Sequence, residues 1–158
     1  MINLSENFSL NSFIKSNTAL KKGINNTMPD RLFPHAVSLA QDVLQPARKH
    51  FNAPIVVSSG YRCPELCVAI GSFLTSDHTK GGCADIEFLN HDIPLIDLGI
   101  WIAENVPFTK IIFEYMPHGW HHVYYDMDNL EGKILVKDKK HDYIRKTLDE
   151  IKKMYGVG

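Results

Sequence analysis

The stretch Ser76 to Asp85, SDHTKGGCAD, constrains this chain more than any other. It sets His78 and Asp85 seven residues apart across Gly81 and Gly82, then runs directly into Ala84, Ile86 and Phe88, which alternate with Asp85 and Glu87. Period-two alternation marks a strand, predicted over Cys83 to Leu89, with Asp85 on the face opposite Ile86. The two glycines leave the preceding loop free to fold back and present His78 beside Asp85. A chain with this stretch is expected to build a sheet with one apolar face and one face carrying ionisable groups.

The other elements can be placed around that strand. Ser9 to Lys15 reads as a short helix with Leu10, Phe13 and Ile14 on its apolar side and Ser9 or Asn11 as cap. Lys21 to Pro29, with Gly23 and no periodicity, is a connection. From Asp30 to about His50, apolar residues from Leu32 through Ala47 recur at three- and four-residue steps, which predicts the main core helix. Pro34 is compatible with its first turn, whereas Pro46 removes a backbone donor and should bend or end it. Pro54 to Ser59 is a β-branched run that delivers Gly60-Tyr61-Arg62 to its far end, and Pro64 to Ile70 is a short helix closed by Gly71. Ile93 to Val106 is an amphipathic helix stopped by Pro107. Lys110 to Met116 and Trp120 to Tyr125 are strands joined through Pro117-His118-Gly119 as a compact hairpin, and Gly132 to Lys137 adds another strand. Tyr143 to Tyr155 has the spacing of a closing helix. The expected fold is α+β, a small antiparallel sheet flanked by helices. At 158 residues the chain fits a single domain over 1–158, with 1–29 as N-terminal helix and connection and 139–158 as C-terminal helix.

Catalytic zinc is held by three protein ligands drawn from His, Asp, Glu and Cys, with a fourth position left for water. His78 and Asp85 supply two, and His122 in Trp120-His121-His122 supplies the third. His121 competes with it: adjacent strand residues face opposite ways, so a slip in register would exchange the two. Glu114 is the candidate general base. If the hairpin turns about His118, Glu114 lies directly opposite His122 and shares its face. Arg62, at the end of the first strand, is placed to bind a substrate carboxylate or to stabilise a developing oxyanion. Ser76 and Tyr61 are candidate hydrogen-bond partners for the substrate.

Seventeen basic and eighteen acidic residues give a net charge of −1, which supplies no overall field for nucleic acid or an anionic membrane. The basic stretch Lys133 to Lys140 reads as a solvated face. Apolar runs fall short of a membrane span. The N-terminal residues show no basic start, apolar core and cleavage site, so a cytoplasmic protein is expected, working as a monomer. Cys63, Cys67 and Cys83 are odd in number and read as free thiols, with Cys63 and Cys67 as small buried hydrophobes rather than metal ligands.

Ser59-Gly60-Tyr61-Arg62, the Ser76-x-His78-x6-Asp85 pattern and Trp120-x-His122 together resemble the M15 family of zinc peptidases, which includes D-Ala-D-Ala carboxypeptidases and L-alanyl-D-glutamate endopeptidases of bacteria and phages. The likeness runs from about Phe13 to about Tyr125. It implies the fold of those carboxypeptidases and of hedgehog domains, Zn2+ bound by His78, Asp85 and His122, and hydrolysis of peptidoglycan stem peptides. Ile112-Phe113-Glu114 resembles a strand of the small phage-type members that ends in glutamate. The chain departs from the family in two places. Gly119 stands three residues before His122, where many members carry the catalytic carboxylate, and Cys67 stands where relatives usually have asparagine. The first departure favours an alternative reading, a non-catalytic peptidoglycan-binding or virion structural module with the same fold. Either would reach the wall by holin-type release or as part of a virion.

Overall fold

In the computed structural model, which describes residues 1–158, the predicted strands form as β1 (Ile55–Ser59), β2 (Cys83–Phe88), β3 (Lys110–Glu114), β4 (Trp120–Tyr124) and β5 (Lys133–Lys137), and a sixth, β6 (Ile144–Arg145), forms where the sequence predicts the start of the closing helix. They make one six-stranded sheet in the order β1-β2-β4-β3-β5-β6. Every pairing is antiparallel except β3 with β5. The sheet is thus mixed rather than purely antiparallel. After β4 the chain passes beyond β3 and returns on its far side, antiparallel to β4 and therefore parallel to β3.

Alternation divides the sheet cleanly. Ala84, Ile86, Phe88, Ile111, Phe113, Val123, Ile134 and Val136 face the helices and belong to the hydrophobic core. Ile86, Ile111 and Phe113 are completely buried, and each contributes about 1.5–3 kcal/mol relative to an exposed position. Helix α6 (Leu95–Asn105) covers this face with Leu98 and Ile102, and Ile151 of α7 (Leu148–Met154) joins them. The mixed α+β architecture is the expected one, with helices on one face and polar groups on the other.

The helices depart from expectation in instructive ways. The core helix is not ended by Pro46. It runs from a 3-10 turn at Asp30–Leu32 through α3 (Phe33–Leu39), a π-helical turn at Ala40–Leu44 and α4 (Gln45–Phe51). The Gln45 N–H bonds to Ala40 O, and this wider turn lets Pro46 enter as the first turn of a new α segment without losing a donor the helix needs. The closing helix begins at Leu148, not Tyr143. Tyr143 has φ 54, which interrupts a helix; Ile144 and Arg145 pair with β5; and Thr147 with Glu150 forms a capping box that fixes the start.

The N-terminal region grips the end of β1. Helix α1 (Leu10–Ile14) is capped by Ser9, and the Tyr61 N–H donates to Phe13 O at 2.6 Å. A Cβ on Gly60 would collide with that same Phe13 carbonyl. A second short helix, α2 (Asn17–Lys22), lies in what the sequence reads partly as connection; Ser16 caps it and Gly23, at φ 65, ends it. Buried Asn26 then closes the arrangement. Its amide donates to Ile14 O and Tyr61 O, both at 2.9 Å, and its oxygen accepts from the Cys63 N–H at 2.8 Å. The turn that carries Arg62 into α5 (Pro64–Ala69) is held from both sides.

Candidate metal centre

Strand register decides which groups meet on the open face. β2 and β4 pair Asp85 with His122, while β3 and β4 pair Glu114 with Trp120 and Ile112 with His122. The hairpin therefore centres on Pro117, not His118. Glu114 is not directly opposite His122 but diagonal to it. Moving the centre by one residue shifts the partner by two, which preserves the face, so Glu114, Trp120, His122 and Asp85 still point the same way. His121 points the other way. It is completely buried in the core, so it is not the competing ligand, with Nε2 donating to Leu95 O at 2.7 Å and its ring edge-on to Phe113.

Gly81 turns the loop back against Leu32 at φ 87, and Ser76 caps the single 3-10 turn Asp77–Lys80. This brings His78 to the strand, 3% exposed. Its Nδ1 lies 2.7 Å from Gly60 O. A carbonyl only accepts, so Nδ1 carries the proton and Nε2 faces Asp85 Oδ2 at 3.4 Å. His122 is oriented the same way by a carboxylate: Nε2 donates to Asp77 Oδ2 at 3.0 Å, and Nδ1 faces Asp85 Oδ1 at 3.2 Å. An outer partner on one ring nitrogen that aims the other inward is how metal-binding histidines are held. Zinc bond lengths of about 2.0–2.2 Å in a tetrahedron place N and O ligand atoms about 3.4 Å apart, close to the 3.4 and 3.2 Å that separate His78 Nε2 and His122 Nδ1 from the two Asp85 oxygens.

The electrostatics describe a site rich in donors and held together by protons. Burial opposes charge on His78, but Cys83 and Asp85 outweigh it and raise its pKa to about 9. Burial likewise opposes charge on His122, and Cys83, Asp77 and Asp85 drive it well above the ordinary histidine value. Asp85, despite burial, is held below the usual carboxylate range by His122 and His78. Asp77, also against its burial, is held there by His122 and by Lys110, whose Nζ is 2.7 Å away. A divalent cation among these groups would take the place of the ring protons that now balance the acids, so the donor set suits a metal.

Glu114 completes the cluster. Its carboxylate, one Asp85 oxygen and a His122 nitrogen lie within 4.8 Å of one another. Trp120 Nε1 donates to Glu114 Oε2 at 2.7 Å and fixes the side chain. Burial and the nearby Asp85 charge raise its pKa above that of an ordinary glutamate. Gly119 has a structural cause: a Cβ there would run into the Glu114 carbonyl. No side chain, acidic or otherwise, fits at that position of this hairpin.

Arg62 sits at the edge of the same cleft, with Nε donating to Ser59 Oγ at 3.1 Å and a terminal nitrogen 3.6 Å from Asp85 Oδ2. It combines an ion pair with a place in the cleft wall. The cleft holds about 510 Å³ and is also lined by Ser76, Asp77, Lys110 and Trp120. Tyr61 is not among its lining residues; its ring is buried in the core and borders a separate depression with Arg31, His35 and Tyr124. Cys63 and Cys67 are buried free thiols away from the cluster, Cys67 with its Sγ 4.0 Å from Arg62 O. A more apolar cavity of about 360 Å³ near Glu87, His91 and His118 holds no such cluster.

Three members of the site were not singled out from the sequence. Asp77 is an acid directly beside His78 in the central motif, which was its signal. Lys110 begins β3 on the face of Glu114 but gave no sign of reaching across to Asp77. Cys83 shares the face of Asp85 by strand alternation, and its Sγ is 3.4 Å from His122 Nε2.

No helix is long and apolar enough to cross a membrane. No curated protein sequence matches the chain. A family model described as Peptidase M15 matches residues 6–124, a span that holds α1, the Arg62 turn, His78, Asp85, Glu114 and His122. On that match, the chain belongs to the M15 family of peptidases.

Proposed function

We propose that the protein is a zinc-dependent peptidase that hydrolyses peptide bonds in the stem peptides of bacterial peptidoglycan. The observation that carries this is the convergence of His78 Nε2 and His122 Nδ1 on the two oxygens of Asp85, with Glu114 within reach, in an accessible cleft. Zinc, when bound by His78, Asp85 and His122, supplies Lewis-acid polarisation of the scissile carbonyl and acidifies water. Glu114, with its proton affinity raised, accepts a proton from the attacking water and delivers it to the leaving amine. Trp120 keeps that carboxylate aimed at the site. Arg62 uses two of its nitrogens on Ser59 and Asp85, and its remaining N–H donors are available to a substrate carboxylate or carbonyl oxygen.

The wall-peptide substrate is supported by the chemistry of the cleft and by the family. Exposed Phe73 and Tyr143 form an apolar rim, and Arg62 and Lys110 bring positive charge toward the centre. An extended peptide bearing carboxylates suits that combination. The non-catalytic alternative draws on Gly119, and Glu114 answers it by bringing a carboxylate to the site from the neighbouring strand. Incubation with purified sacculi separates the two readings. A peptidase releases new amino groups and loses that activity on chelation; a binding module pellets with the wall and releases none. Mass analysis of the released fragments distinguishes removal of a terminal residue from an internal cut.

A further inference from the structure

The rows of side chains that cross the open face of the sheet extend past the metal donors. β3 and β4 pair Ile112 with His122, β3 and β5 pair Ile112 with Leu135, and β5 and β6 pair Leu135 with Arg145. Ile112 and Leu135 both line the cleft, so its floor continues from His122 toward β6 as apolar side chains. The next row holds Trp120, Glu114 and Lys137, and one further step of the β5–β6 register sets Tyr143 beside Lys137. Tyr143 lines the same cleft. Adjacent strands lie about 4.8 Å apart, which puts Tyr143 about 10 Å from Glu114, or about three residues of extended peptide.

Packing does not account for a tyrosine at this position. Its φ of 54 lies in the left-handed region, where Gly or Asn is the ordinary occupant and a bulky residue is an outlier. The ring is outside the hydrophobic core and the residue is 52% exposed, so burial does not offset that strain. The side chain is nonetheless held in place. Lys137 Nζ lies 5.1 Å from the ring centroid and donates to Asp142 Oδ1 at 2.8 Å. Strained residues of this kind cluster at ligand clamps and active sites. The span matched to the M15 family ends at residue 124, so this wall of the cleft lies outside it.

We propose that Ile112, Leu135 and Tyr143 form a substrate subsite that takes an apolar side chain of the peptide about three residues from the scissile bond. The inference rests on the peptidase reading above. Tyr143 is then a specificity-determining residue, whose ring packs on the substrate from the β6 side of the cleft. It stands too far from Glu114 to touch the reacting atoms, so it binds ground state and transition state alike. Its contribution therefore belongs to KM and not to kcat. Peptides that end before Tyr143 gain nothing from it.

The zinc-loaded full chain and a soluble disaccharide–pentapeptide fragment of peptidoglycan test this. Tyr143→Asn removes the ring and keeps a residue that tolerates the left-handed backbone, so its Tm should not fall. It should raise the KM for the fragment, and the Kd measured by calorimetry in the Glu114→Gln background, by at least about fivefold at unchanged kcat and zinc content. Tyr143→Phe, which keeps the ring, should stay within about twofold of the wild type. Unchanged KM and Kd in Tyr143→Asn, or a loss of kcat or zinc along with them, would overturn the subsite and leave the peptidase reading standing. A wild-type chain that binds the fragment through Tyr143 but cuts no bond would overturn the peptidase reading alone. One that neither binds nor cuts it would overturn both.

Discussion

At the scale of single residues, the site depends on how the two faces of β4 are used. Glu114 is diagonal to His122, fixed by Trp120 and partly desolvated, the circumstances that make a carboxylate a useful base near neutral pH. Glu114→Gln keeps the shape and loses the base. It is expected to lower the rate of wall-peptide hydrolysis by about 10²–10⁴-fold while leaving bound metal unchanged. Parallel assays of turnover and metal content check this, and full activity in the variant would place the base elsewhere. His121, one position before His122, does the opposite job. Burial lowers its pKa to about 4 from the ordinary 6.5, although its bond to Leu95 O favours the proton, and its Nδ1 has no partner. Between those values the unfolded chain takes a proton that the folded chain refuses, so the fold loses stability as pH falls from 6.5 toward about 4. The full effect is about 3 kcal/mol by linkage. His121→Gln retains a donor for Leu95 O and removes the titration. Denaturant curves at several pH values should show the two proteins converging in pH dependence above 6.5 and separating below it.

At the scale of elements, the hairpin and the Arg62 turn position the chemistry. Asn26 makes three hydrogen bonds that tie α1 and the turn after β1 together. Asn26→Ala leaves buried backbone groups unpaired and is expected to cost about 1–3 kcal/mol for each group that finds no water. Because the same turn carries Arg62 and Gly60, whose carbonyl orients His78, the variant should also weaken metal binding. Thermal unfolding and zinc titration measure the two effects separately. Gly119→Ala should be worse for the site than for the core, since its Cβ would push the Glu114 backbone out of register. The sequence made the strands legible because period-two alternation is local. It also gave the shared face of Glu114 and His122, because parity survives a shift of the hairpin centre from His118 to Pro117. The parallel β3–β5 pairing was not legible, since no local pattern records which strand a returning chain will join. The π turn before Pro46 was hidden for a similar reason: the sequence shows the missing donor, and the wider helical turn that accommodates it is a property of the packed helix.

At the scale of the whole molecule, the sheet separates its two tasks, with apolar side chains packed under α6 and α7 and ionisable ones gathered on the open face. His78, Asp85 and His122 could be assembled from motif and spacing, whereas Asp77 and Cys83 became visible only when register and loop closure placed them against the His122 ring. Around the two histidines stand Asp77, Asp85, Glu114 and Cys83, so the metal-free fold carries closely spaced acids balanced by protonated rings and Lys110. A bound dication should therefore stabilise the entire domain. Zinc at about a hundred times its dissociation constant would add about 2.7 kcal/mol, read as a rise in Tm that a chelator reverses. The most direct test is the zinc content of the protein purified without chelators, measured beside His78→Ala and His122→Ala variants whose folding is verified by circular dichroism. One equivalent of zinc per wild-type chain, lost in both variants together with wall-peptide hydrolysis, is the predicted result. A wild-type chain that carries no zinc and takes none up on titration would contradict the account.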